Sequence, residues 1–87
     1  MSAWAVHEAY EAWGVCFDQL TAARAAVAMW AVRAMHHVRR GEDRHPAVGW
    51  TFDAQDELEH AEAALSTARE EWDRAKAAED ERLKGAA

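Results

Sequence analysis

The chain has 87 residues, 22 of them alanine, with no isoleucine, no asparagine, one proline (Pro46) and a formal net charge of -6. That length allows one domain, residues 1–87, and the lone Cys16 excludes an intrachain disulfide or a cysteine-built zinc site. The charge is uneven: residues 1–50 carry five acids and five bases, residues 51–87 eleven acids and five bases, which argues against a phosphate-backbone binder and predicts no direct nucleic-acid contact.

The opening MSAWAVHEAYE has no basic region followed by an apolar core, so no secretory signal is expected. From Val6, apolar residues recur at alternate spacings of four and three: Val6, Tyr10, Trp13, Phe17, Leu20, Val27, Ala31, Ala34 and Val38, with Arg24 as the one charged member. A seven-residue repeat free of proline predicts a helix over about 3–40. Gly14 inside it reads as a close approach or a slight bend.

Residues 25–35, AAVAMWAVRAM, are apolar on nearly every side, so something must cover that stretch all round. Its longest run without charge, Ala25 to Val32, is far short of the roughly 20 residues of a membrane span, so no membrane association is expected. His36, His37, Arg39 and Arg40 then place cations in the last turn, and Gly41 stands at the usual C-terminal cap.

Glycine and proline in residues 41–52 mark a connector, and Asp53 reads as the N-cap of a second helix over about 53–83. Its seam is Ala54, Leu58, Ala61, Leu65, Ala68, Trp72 and Ala75. Glu70 with Arg74, and Asp80 with Lys84, are spaced for ion pairs along its surface. The fold class is all-α, a long antiparallel two-helix hairpin.

Folding back about that connector brings position i near position 93 minus i. Leu20 then faces Trp72, whereas Tyr10, Trp13 and Phe17 face mostly charged residues, and Met29, Trp30, Val32 and Met35 lie off the seam. Exposed aromatics forgo about 1.5–3 kcal/mol each. A second copy is the commonest cover, so the expected assembly is a homodimer, a four-helix bundle of two hairpins.

Chemistry-bearing patterns are sparse. Glu57 and His60 match the Glu-x-x-His spacing of carboxylate metal sites, but the seam runs through Leu58 and Ala61, so His60 points away from it. His36, His37 and His45 gather near the hairpin tip, where nitrogen ligands suit zinc or nickel, and His36 and His37 point about 100 degrees apart. Glu8 with Glu11 and Asp53 with Asp56 resemble the paired acidic motifs of MazG-like nucleotide pyrophosphatases. The antiparallel path puts the two pairs at opposite ends of the hairpin, which departs from that family's shared magnesium site.

No glycine-rich phosphate loop and no nucleophile-base pair stands out, so neither an enzyme nor a bound cofactor is expected. The sequence instead predicts a cytoplasmic, non-enzymatic protein-interaction module, an adaptor, assembly factor or inhibitor. Its contacts are Trp4, Tyr10, Trp13, Phe17, Met29, Trp30 and Met35, with the acidic Glu59, Glu62, Glu70 and Asp73 suited to a basic protein partner. The alternative is a metal-binding helical protein using Glu57 and His60, or the tip histidines His36 and His37.

Overall fold

The computed structural model describes residues 2–86. Two helices, α1 (Ser2–Arg39) and α2 (Pro46–Ala86), form an antiparallel hairpin, with no strand among the described residues. At 1.5 Å per residue they are about 57 and 62 Å long, and the hairpin measures 70 × 13 × 13 Å.

The turn is shorter than the sequence predicts. Gly41 adopts a left-handed φ of 79°. The Glu42 amide bonds the His37 carbonyl at 2.8 Å and the Gly41 amide bonds the Val38 carbonyl at 2.9 Å. This is a Schellman closure, which satisfies the last carbonyls of α1. Four residues later α2 has already begun, because Pro46 occupies its first position, where a missing N–H costs nothing. The His45 Nδ1 accepts the Ala47 amide at 3.1 Å and caps the helix. Asp53 is therefore no cap but lies a full two turns inside α2.

Starting α2 at Pro46 rather than Asp53 moves the register by about ten residues. Ring pairs Tyr10–Trp72, Trp13–Trp72, Trp30–Trp50 and His37–His45 place position i opposite about 83 minus i. Trp72 therefore meets Tyr10 and Trp13, not Leu20.

The α2 seam is as the sequence predicts, extended by Ala47 and Thr51 at one end and Glu79 at the other. In α1 the seam positions, each buried or half-buried, are Val6, Ala9, Trp13, Cys16, Leu20, Ala23, Val27, Trp30, Ala34 and His37, with the half-buried Gly14 and Ala26 beside them. Every second member agrees with the predicted seam, and the alternate members lie one residue earlier. Bulky apolar residues suggest Tyr10, Phe17 and Val38 for the seam, but two helices packed alone contact along a narrow stripe. That stripe takes the smaller Ala9, Cys16 and Ala23, leaving Tyr10, Phe17, Arg24, Ala31 and Val38 on its flank. Gly14 is no point of close approach within the hairpin, since a Cβ there would meet nothing within 4 Å.

The core is thin. Leu20, Ala34, Ala47, Ala54 and Ala68 are its buried members, and no large side chain is fully buried. Aromatic clusters hold the two ends. Trp13, lying 5.5 Å from both Phe17 and Trp72, anchors the open end with Tyr10, and Trp30 meets Trp50 edge to face at 5.0 Å near the turn. Between them small residues line the contact.

Candidate functional site

The alternation of seven-residue repeats leaves one flank of the hairpin rich in small side chains. On it, two adjoining open grooves of about 350 and 520 Å³ share Ala26 and Glu57. The first is lined by Trp30, Trp50, Asp53 and Ala54, the second by Gln19, Ala22, Ala23, His60, Ala61 and Ala64. Together they form a shallow trough with an alanine floor, and Val15 and Met29 stand exposed on the α1 side of it. Alanine floors let a neighbouring helix come near the lower end of the usual 8–10 Å packing distance.

The expected aromatic contacts divide among three settings. Trp13 and Trp30 are half-buried in the intrachain seam, and Trp30, packed on Trp50, also lines the first groove. Tyr10 and Phe17 are about half exposed on the opposite flank, at 50% and 46%. Trp4 stands in solvent, its Nε1 donating to the Glu8 carboxylate at 2.7 Å. Met29 and Met35 remain exposed, as does Val32. The large apolar residues Trp50 and Phe52, read as part of the connector, are also exposed, and α2 carries both. Their signal was Pro46, whose preference for a helix start would have placed them on α2.

On α2, Asp73 is engaged by Arg69 at 3.3 Å and by Lys76 at 3.2 Å, and these cations hold its carboxyl below the ordinary range. Both cations also lie over the Trp72 ring, at 4.9 and 4.2 Å. Asp73 is thus spent on its own helix. Glu59, Glu62 and Glu70 form no ion pair among the described residues, and the Glu70–Arg74 and Asp80–Lys84 pairs expected from spacing do not form. Glu79 pairs with Arg82 at 2.7 Å and Glu81 with Lys84 at 3.7 Å instead.

Glu57 and His60 share the trough, but the α1 residues lining it with them are Gln19, Ala22, Ala23 and Ala26, none a carboxylate. The tip differs. His37 and His45 stack with ring centroids 3.4 Å apart, and His37 Nδ1 lies 2.8 Å from a Glu42 oxygen. That bond holds Glu42 below the usual carboxylate pKa. His36 is exposed, in edge contact with the His37 ring.

No protein-family model matches the chain, and no curated protein or solved structure is significantly similar to it. No helix among the described residues is long and apolar enough to cross a membrane.

Proposed function

We propose that this chain is a non-enzymatic protein-interaction hairpin of the cytoplasm, an adaptor, assembly factor or inhibitor. Its working form is a homodimer in which the alanine-floored trough takes a second copy. The observation that carries the reading is the amount of uncovered surface. The hairpin exposes 6398 Å², whereas a compact monomer of its 9.7 kDa exposes about 5,100 Å². The difference, on the order of 1,300 Å² for one chain, exceeds the roughly 800 Å² that each partner buries in a standard protein interface.

A second copy suits the trough for two reasons. A core of one leucine and four alanines is marginal for 87 residues, and pairing hairpins is the remedy left to a chain without disulfides. The charge pattern is also self-complementary end to end. Residues 33–45 hold four arginines against two acids, whereas the open end, residues 2–11 with 69–86, holds eight acids against five bases. An antiparallel pair about a twofold axis sets each tip beside the other chain's acidic end.

The outer face of α2, with Glu59 and Glu70, and Glu62 on the flank beside Arg24, is then left for a basic protein partner, and such binding weakens as salt rises. Solution mass by light scattering, over a thousandfold range of concentration, tests the dimer. Twice the chain mass at micromolar concentration supports it. A monomer throughout overturns it and assigns the trough to a different protein.

A further inference from the structure

The closure of the hairpin brings together three groups that are distant in type but close in space. His37 lies in the last turn of α1, Glu42 directly follows the left-handed Gly41, and His45 caps α2. One ligand atom from each lies within 4.8 Å of the others, and all three residues are half-buried. We propose that this tip is a binding site for a divalent transition ion of the zinc class, held by His37, Glu42 and His45 with water completing a tetrahedron.

The donor set decides the class. Two imidazole nitrogens and one carboxylate oxygen suit zinc, nickel or copper, and poorly suit magnesium, which takes nearly all-oxygen shells. A tetrahedral ion with ligands at 2.0–2.2 Å needs ligand atoms about 3.4 Å apart. Rotation of these half-buried side chains closes that gap without moving backbone. One adjustment is specific: nitrogen lone pairs lie in the ring plane, so two parallel imidazoles cannot both aim at one ion. His45 must turn out of the stack, which costs its bond from the part-buried Ala47 amide at the start of α2.

One neighbouring charge opposes the ion: the Arg40 Nε lies 3.3 Å from a Glu42 oxygen and must swing aside. His37 Nδ1, which lies against Glu42, serves as a ligand only in the tautomer that carries the ring hydrogen on Nε2. The ion ties the end of α1 to the start of α2, where the polypeptide otherwise relies on backbone turns.

Zinc titration of the full chain by calorimetry tests the site alongside thermal unfolding followed by circular dichroism. One zinc per chain and a melting temperature raised by zinc but not magnesium are expected. His37→Gln and His45→Asn each weaken binding at least tenfold, asparagine being chosen because it preserves the N-cap. Glu42→Gln weakens it about tenfold or more, Arg40→Gln strengthens it, and His60→Ala leaves it unchanged. Ring nitrogen shifts at His37 and His45 of the unaltered protein on adding zinc give a readout independent of variant folding. Equal zinc binding by the His37 and His45 variants, or no zinc response beyond that to magnesium, overturns the proposal.

Discussion

Trp72 of α2 packs against Trp13 of α1 with ring centroids 5.5 Å apart, and Tyr10 closes on the same indole at 5.1 Å. This contact spans nearly sixty residues of sequence and ties the open end of a hairpin whose middle is mostly alanine. Trp72→Ala should destabilise the chain by about 2 kcal/mol, below the 3–5 typical of a fully buried tryptophan because Trp72 is only half-buried. A Trp13/Trp72 double-mutant cycle in urea should return a coupling of about 0.5–1.5 kcal/mol. Additive effects would mean that the two rings do not support each other.

Two glycines should respond to alanine in opposite directions. At Gly41 the backbone is left-handed, so Gly41→Ala should cost about 1–2 kcal/mol. Gly14 sits in regular helix with open space at its Cβ position, and Gly14→Ala should gain about 1 kcal/mol. Chemical denaturation at one protein concentration measures both. A loss of stability in Gly14→Ala would place a neighbouring chain against that residue.

The proposed dimer contact can be tested without touching the seam. Ala22 and Ala64 are exposed and line the trough, so Ala22→Arg or Ala64→Arg places a long cation where a second helix would lie. Each variant should keep its helical circular dichroism at high concentration yet have half the native mass by light scattering. Native mass in both would show that the trough is not the contact.

Acid should weaken the tip in a defined window. Hydrogen bonding to His37 holds Glu42 below its ordinary value of 4.5, so the folded state binds the carboxyl proton less readily than the unfolded chain. The stabilisation is complete above pH 4.5 and disappears as pH falls through the lowered folded-state value. Asp73, held by Lys76 and Arg69, and Glu79, held by Arg82, act in the same direction. Thermal unfolding of the native chain and of Glu42→Gln should differ at pH 6 and converge as the pH approaches 3.

Much of the architecture was legible in spacing alone. The α2 seam from Ala54 to Ala75 stands as read, because its apolar members, alternating with acids and bases, leave one face available. The α1 seam was half legible: where both neighbours of a position are apolar, as at Ala9 and Tyr10 or Cys16 and Phe17, periodicity cannot choose. Packing distance takes the smaller residue at those two places, whereas nearer the turn the stripe takes Trp30 over Ala31 and His37 over Val38, where the rings meet Trp50 and His45. The turn misled because Gly49 and Pro46 read as breakers, whereas Pro46 starts a helix and Gly49 is carried within it. That single displacement altered every cross-chain pairing and hid the meeting of His37, Glu42 and His45, which depends on a turn of six residues rather than twelve.

The short turn also sets the order in which the molecule can assemble. Pairing of His37 with His45 closes a loop of only a few residues, Trp30 with Trp50 closes about twenty, and Tyr10 with Trp72 about sixty, so closure entropy rises steadily away from the tip. Chain collapse should then travel outward as a zipper, with the tip nucleating and the Trp13–Trp72 clasp closing last. Native-state amide exchange should run the same course in reverse, fastest at the open end.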